Sequence, residues 1–318
     1  MADLIAKIKK TGSSARKPGS GRPFSSVTPT NTETVADEIQ SQEDNPGSHK
    51  SQRQIAKQLN VSRRSVSRMV KNLGLKAFKR IRVSRRTANV REKRKTRCQQ
   101  LLARFSSEAR MKKIIFTDEK DFTFEVARNR QNDRVYGRKK KQVASNRLYH
   151  ESSRFTRKLM VSAGVSWSGK TSIHFIDTEP VKVNSLRYIE LLDDGLLPDS
   201  RRLYPRGDFV FQQDGAPSHT SNASQAFLRA NTPDYIDKLC WPPQSPDCNP
   251  MDYYVWNALQ EKVYEGRHEP FTLEELKEKI TAKWQELSMA GIRRALSQWR
   301  ARLQAVCNEN GGHIEHLF

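Results

Sequence analysis

The sequence predicts two regions of different class: an α/β or α+β layer domain over residues 111–318, and an all-α region before it. Two observations carry this. After Lys112, short apolar runs alternate with helical stretches: IIFT, KLMVSAGV (158–165), TSIHFI (171–176) and DFVFQQ (208–213). Before it, two short amphipathic segments are separated by NVS, and the basic charge gathers around them. The 318 residues hold 57 Lys+Arg against 35 Asp+Glu, a formal net charge of +22. Residues 1–49 carry six of each sign, residues 50–110 carry 20 basic residues against Glu92 and Glu108, and residues 111–318 carry 31 against 27. The excess therefore belongs to one segment. That points to a polyanion partner, because each neutralised phosphate releases counterions; a solvated basic linker is the plainer alternative.

Composition excludes several classes. The 13 Phe, 8 Tyr and 5 Trp are too many for a wholly disordered chain. No apolar run reaches the roughly 18 residues of a membrane span, and MADLIAKIKK lacks the apolar stretch of a secretory signal. Cys98, Cys240, Cys248 and Cys307 form no CxxC pair, so a reducing compartment is expected.

Residues 11–32 are rich in Gly, Pro, Ser and Thr and read as a linker. Residues 33–42 read as a short helix with Val35 and Ile39 on one face. In the next helix Ile55, Ala56 and Leu59 share a face; in the one after it Val66, Met69, Val70 and Leu73 do. Asn60 suits the left-handed turn between them, Val61 the corner, Ser62 the N-cap and Gly74 the stop. This is a helix-turn-helix pattern, with small Ala56 at the crossing. The outward face of its second helix carries Arg63, Arg64, Ser67, Arg68 and Lys71, donors suited to base edges and phosphates in a major groove. Basic residues continue from Lys76 to Arg97, fitting a phosphate-tracking segment or a nuclear import signal. Residues 88–106 read as a helix anchored by Val90, Leu101, Leu102 and Phe105.

Within the layer domain, SHTSNASQAFLRAN reads as a helix and YIDKL as a short strand. In FTLEELKEKITAKWQEL, Thr272 and Glu275 form a capping box, with Leu276, Ile280 and Trp284 at helical spacing. Ile292, Leu296, Trp299, Leu303 and Val306 define a last helix, and these positions read as core.

Three aspartates stand out by position. Asp118 closes the strand IIFTD, Asp214 closes FVFQQD before Gly215, and Asp252 lies just inside a predicted helix. Strand ends aim side chains into the crevice above a sheet. Carboxylates gathered there suit hard divalent cations that leave room for substrate phosphate. Each has a plainer reading: Asp118 as one turn acid among Glu119 and Asp121, Asp214 as an Asx-turn, Asp252 as a capping acid after Asn249 and Pro250. Asp247 is a rival third ligand that reads as loop.

FTDEKDF, FQQDGAPSHTS and WPPQSPDCNPMDYYVW together resemble the catalytic signatures of the mariner/Tc-like transposase superfamily. Between Asp118 and Asp214 lie 95 residues, and between Asp214 and Asp252 lie 37. The second gap, closed by aspartate, is similar to the Asp-Asp-37-Asp subgroup. The resemblance, over about residues 12–318, implies an RNase H-like catalytic domain, a mixed sheet flanked by helices, behind an all-α helix-turn-helix domain. It implies that Asp118, Asp214 and Asp252 are the catalytic triad and bind two Mg²⁺ or Mn²⁺ ions. The reaction implied is cleavage of double-stranded DNA at transposon inverted repeats and transfer of the freed 3′-OH to a TA target, by a homodimer in the nucleus. GSGRPF, centred on Arg22, is similar to the family's minor-groove arm. The expected domains are then 1–30, a remnant of a first helix-turn-helix plus the arm; 31–80, a helix-turn-helix; 81–110, a basic helical linker; and 111–318, the catalytic domain. Only MADLIAKIKKTG would remain of the first unit, so an N-terminal truncation is expected. His219 belongs to the same signature and stays outside the catalytic set. The rival readings are a decayed or domesticated DNA-binding derivative without catalysis and a structure-selective nuclease; retention of all three acids argues against the first.

Overall fold

The structure, a computed structural model, describes residues 2–13, 26–40, 50–76, 83–125, 135, 140–145, 157–176, 184–266 and 271–318. Contacts divide the chain between Arg82 and Val83 into two compact units.

The first unit contains helices α1 (Ala2–Thr11), α2 (Pro29–Gln40), α3 (Gln52–Gln58) and α4 (Arg63–Asn72). Helix α2 starts earlier than the sequence predicts, inside the expected linker. Thr28 is the reason: its hydroxyl accepts the Asn31 amide at 3.1 Å, and Pro29 follows where no donor is needed. Ser51 opens α3 with a capping box to Gln54, and Ser62 Oγ opens α4 by accepting the Ser65 amide at 3.0 Å. Asn60 takes φ 48° between them. Val35, Ile55, Ala56, Val66 and Met69 form the buried centre, with Val61 packed against it. The expected arm residue Arg22 lies outside the described residues.

The second unit begins with α5 (Ala88–Arg104) and the short α6 (Glu108–Met111). Strands β1 (Ile114–Thr123), β2 (Lys158–Val165), β3 (His174–Ile176) and β4 (Val210–Gln212) form one sheet in the order β3-β2-β1-β4. Strand β1 is antiparallel to β2 and parallel to β4, so the sheet is mixed. Between β3 and β4 run α7 (Ser185–Leu191), a π-helical turn (Leu192–Leu196) and α8 (Leu197–Leu203). After β4 come α9 (Pro217–Thr220), α10 (Asn222–Asn231), a second π-helical turn (Met251–Val255) and α11 (Trp256–Tyr264). Helices α12 (Leu273–Glu286) and α13 (Met289–Asn308) complete the unit.

Alternation along β1 puts a core on each face. Ile114 and Phe116 join a cluster built with α5 and α11 to α13. Ile115 joins Tyr188, Leu192, Leu196, Leu197 and Phe211 on the other face. The sheet is thus flanked by helices on both sides, as the family resemblance implies. The helical run at 185–203 carries no sequence assignment, because Gly195 and Pro198 interrupt its periodicity. The close approach of His174 explains the glycine: a Cβ on Gly195 would sit 2.7 Å from the imidazole Cε1.

Several strand boundaries differ from expectation: β3 starts at His174 and not at Thr171, and β4 ends at Gln212, two residues short of Asp214. Asp118 does not close its strand. Pairing with β2 continues through Asp118 opposite Ala163 to Thr123 opposite Lys158, so Asp118 stands mid-strand. The predicted strand YIDKL reduces to a single bridge, Tyr235 to Phe211.

Part of the basic block has a structural use. Arg94 is fully buried and makes a two-pronged pair with Asp247, at 3.0 Å to Oδ1 and 2.8 Å to Oδ2. Its remaining donors reach the Gly311, Gly312 and Gln244 carbonyls and the Ser245 hydroxyl. Arg86 adds bonds to the Gly312 and Gln244 carbonyls and a contact to Asp247. Gly311 suits this crowding: its φ is +76°, and a Cβ there would fall 2.0 Å from the Arg91 carbonyl. Asp247 is therefore an ion-pair partner, not the rival ligand that its position allowed.

Removing one member of a fully desolvated pair strands the other charge. Asp247→Ala is expected to lower the unfolding free energy by about 3–5 kcal/mol, whereas Lys93→Ala on exposed α5 surface should stay within about 0.5 kcal/mol. Urea denaturation of both variants measures the contrast, and equal losses would refute the assignment.

Candidate active site

The three aspartates reach one cleft from three separate segments. Asp118 lies on β1, Asp214 two residues beyond β4, and Asp252 in the π-helical turn before α11. Asp118, Asp214 and Asp252 all line a cavity of about 560 Å³ together with Glu119, Lys120, Arg97 and Lys238. Thr117 ties the segments together. Its hydroxyl donates to the Gln212 carbonyl at 2.7 Å, and its carbonyl accepts Asn249 Nδ2 at 3.2 Å. Asn249 Oδ1 in turn accepts the Met251 amide at 3.1 Å, opening the turn that carries Asp252. The sequence places Asn249 correctly as a capping residue, but its bond to β1 is a tertiary fact.

Each acid has a distinct environment. Trp256 Nε1 donates to Asp118 Oδ2 at 2.6 Å. Asp214 Oδ1 accepts the Ala216 amide at 2.9 Å and meets His219 Nδ1 at 2.5 Å. The other ring nitrogen of His219 stands 3.3 Å from Glu119 Oε2, and Ser162 Oγ donates to Glu119 Oε1 at 3.1 Å. Tyr188 packs on the imidazole with ring centres 4.0 Å apart and donates its hydroxyl to Gln213 Oε1. Sequence reading sets His219 aside and assigns no role to Glu119 or Trp256. The DGAPSH signature contains His219, but no local pattern announces the other two.

Burial pushes Asp118 well above the usual carboxylate range, and the charges of Asp252 and Glu119 push it further. Burial raises Asp252 to about 6, with Lys120 opposing and Asp214 adding repulsion. Burial acts most strongly on Asp214, but the hydrogen bond and charge of His219 and the Ala216 amide together outweigh it and hold this acid low. His219 itself rises despite burial, because Glu119 and Asp214 flank it.

This donor set fits hard divalent cations. The oxygen ligands are carboxylates, they share a cleft, and their repulsion would be relieved by positive charge. Among the described residues, no group of three His, Cys, Asp or Glu side chains is already drawn together as a metal cage. The acids share a cleft rather than a point.

On the first unit, Arg63, Arg64, Ser67, Arg68 and Lys71 are all exposed on α4. Val66 and Met69 turn inward, so the basic face and the packed face are separate.

A family model described as "Helix-turn-helix domain, rpiR family" matches residues 25–88. The Tc3 transposase of Caenorhabditis elegans is 28% identical over 207 residues, which are 64% of this chain and 58% of that protein. The Tcb2 transposase of Caenorhabditis briggsae is 31% identical over 39% of this chain and 43% of its own. The chain thus spans about half the length of these relatives. The mariner Mos1 transposase of Drosophila mauritiana is 27% identical over 78% of this chain and 71% of its own length. Among solved structures, a Mos1 transposase paired-end complex with the left transposon end matches with TM-score 0.71 and 22% identity, over 98% of this chain and 88% of that one. The Mos1 catalytic domain matches with TM-score 0.57 and 20% identity, over 74% of this chain and all of that domain. Mos1 paired-end complexes were also solved with Mg and with Mn. The second unit therefore has the expected RNase H-like fold.

The raised carboxyls have a stability consequence in the metal-free protein. A carboxyl that holds its proton more tightly when folded favours folding while protonated. That advantage is lost as pH rises from the unfolded value near 4 through the folded one. Metal-free protein should therefore lose thermal stability between about pH 4 and pH 6–7 through Asp252. Asp252→Asn should flatten that segment and raise Tm at pH 7.5 by about 2–4 °C in EDTA. Calorimetry across pH checks both; an unchanged profile would refute the electrostatic reading.

Proposed function

We propose that this chain, which belongs with the mariner/Tc-like transposases, is itself a DNA transposase. It binds the inverted repeats of a transposon and cuts and joins DNA strands in a cleft floored by Asp118, Asp214 and Asp252. The observation that carries this reading is the convergence of those three aspartates, from three segments, on one cleft whose carboxylates repel each other. Their spacing and the kinship with Tc3 and Mos1 transposases support it.

The three aspartates would hold two Mg²⁺ or Mn²⁺ ions. When bound, these ions supply Lewis acidity at the attacking and leaving oxygens of an in-line phosphoryl transfer. The protein's own groups prepare the ligands. Trp256 engages Oδ2 of Asp118 and orients that carboxylate. His219 and the Ala216 amide fix Oδ1 of Asp214. Glu119 Oε2 faces the other ring nitrogen of His219 and favours its protonation. Strand cleavage and strand transfer are both in-line displacements at phosphorus, so one site serves for both. The target would be a TA step in duplex DNA.

Recognition would fall to α4, with Arg63, Arg64, Ser67, Arg68 and Lys71 facing the major groove. Arg22 would enter the minor groove from the preceding arm. The paired-end form of the Mos1 complex supports a homodimer holding two ends. Chemistry on chromosomal DNA and the basic segment 76–97 support a nuclear location; among the described residues, no helix is long and apolar enough to cross a membrane. Of the four domains expected from sequence, 1–30, 31–80 and 111–318 stand as the proposed division of labour, whereas most of the expected linker 81–110 packs into the second unit through Arg94, Cys98, Leu101 and Phe105.

Asp214→Asn should abolish divalent-metal-dependent nicking of a duplex carrying the inverted repeat, while its affinity for that duplex changes less than about twofold. Retained nicking would sink the site assignment. Arg64→Ala with Arg68→Ala should weaken binding and flatten the slope of log K against log salt by about two. An unchanged slope would move the interface away from α4.

A further inference from the structure

Beside the proposed cleft, a tight turn presents an apolar side chain to solvent. Leu239 is 67% exposed, among the most exposed large apolar residues described. Its neighbour Lys238 and the nearby Trp241 both line the cleft with the three aspartates. The turn is held from several directions. Asp237 Oδ1 accepts the Leu239 and Cys240 amides at 2.6 and 3.1 Å. The Asp237 carbonyl accepts the Cys240 and Trp241 amides. From α5, Arg97 donates to the Lys238 and Trp241 carbonyls at 3.2 and 2.8 Å, bracketing the tip. Lys238 Nζ reaches back to the Thr220 carbonyl and Asn222 Oδ1.

Single exposed leucines are common on protein surfaces. This one differs in three respects: its backbone is braced by Asp237 and Arg97, Lys238 and Trp241 beside it line the cleft, and Lys238 and Arg97 supply neighbouring cations. A stiff duplex must be kinked to bring one phosphate down into a concave site, and that deformation costs energy. Apolar side chains inserted between base pairs offset such a cost by replacing lost stacking, and neighbouring cations hold the displaced backbone. We propose that Leu239 is a positioning residue that wedges between the base pairs beside the scissile phosphate, with Lys238 and Arg97 holding the adjacent phosphates. This rests on the reading of the cleft as a DNA strand-cleavage site. A docked protein partner is the competing use of the same side chain, and the cations on either side favour DNA.

The test uses the full chain and a repeat-bearing duplex with 2-aminopurine next to the cleavage position. In an Asp214→Asn background, binding should raise 2-aminopurine fluorescence, and adding Leu239→Ala should remove most of that rise while Leu239→Phe retains it. In the otherwise native chain with Mn²⁺, Leu239→Ala should slow cleavage of paired substrate about tenfold, and two mismatched pairs at the same position should restore the rate. Equal fluorescence in both backgrounds, or no rescue by mismatches, overturns the wedge. A changed oligomeric state in Leu239→Ala with unchanged fluorescence assigns the residue to a protein contact instead and likewise overturns it. Absence of cleavage by the native chain would count against the transposase reading, and the fluorescence arm would still decide the wedge.

Discussion

The second unit is organised around an ion pair buried away from solvent. Asp247 and Arg94 both have side chains with no solvent exposure, and each would cost several kcal/mol to bury alone. Their two-pronged geometry and the surrounding carbonyls make burial tolerable. The pair joins three distant stretches: α5 near the start of the unit, the SPDCNP turn, and the chain after α13. Asp247 stands five residues before Asp252, and the carbonyl of Asp247 is itself held by Arg302 at 3.2 Å. The turn carrying the third aspartate is therefore anchored by ions on one side and by Asn249 and Thr117 on the other. A rigid frame of this kind is what a site assembled from separate segments requires.

That pair also divides the basic block by use. Counting charges treats the 20 basic residues of 50–110 alike. The fold does not: Arg86 and Arg94 are buried among carbonyls, whereas Arg63, Arg64, Arg68 and Lys71 face solvent on α4. Nothing local in RRTANVREKRKTR separates Arg94 from Lys93, because the partner lies 153 residues away. The helix-turn-helix was legible for the opposite reason. Its caps at Ser51 and Ser62, its left-handed Asn60 and its inward Val66 and Met69 are all set within a few residues. The strand boundaries follow the same logic. Acids that follow an apolar run suggest a strand end at Asp118, but pairing with β2 extends the strand beyond it. Tyr235 stayed short of strand because it pairs with one residue only.

Much of the candidate site was visible in sequence as three spaced aspartates, and their environments were not. Asp214 is held low by the imidazole five residues onward, itself flanked by Glu119 on β1 and covered by Tyr188 from α7. Asp118 is oriented by an indole from α11. These partners come from elements that sequence periodicity cannot bring together. His219 carries the clearest lesson. Its place in DGAPSH marked it as notable, but only the fold puts its two nitrogens between two carboxylates.

The electrostatics of the cleft explain why such a site is worth its cost to the fold. Asp118 is driven toward its neutral form by burial and by the charges of Asp252 and Glu119, and Asp252 by burial and by Asp214, so the unliganded cleft works against its own ionisation. Well-packed apolar residues would make a more stable protein there, in line with the usual trade between stability and function. Asp214 behaves differently because its interactions with His219 and the Ala216 amide together outweigh its burial. The cleft thus contains one acid satisfied by the protein and two that are not. The unmet demand of those two is for positive charge from outside the chain. Lys120 answers it only partly, opposing the rise of Asp252 without cancelling it. Two acids left short of counter-charge, beside a third fixed in orientation, are a physical basis for recruiting cations to a place where a phosphate is to be handled.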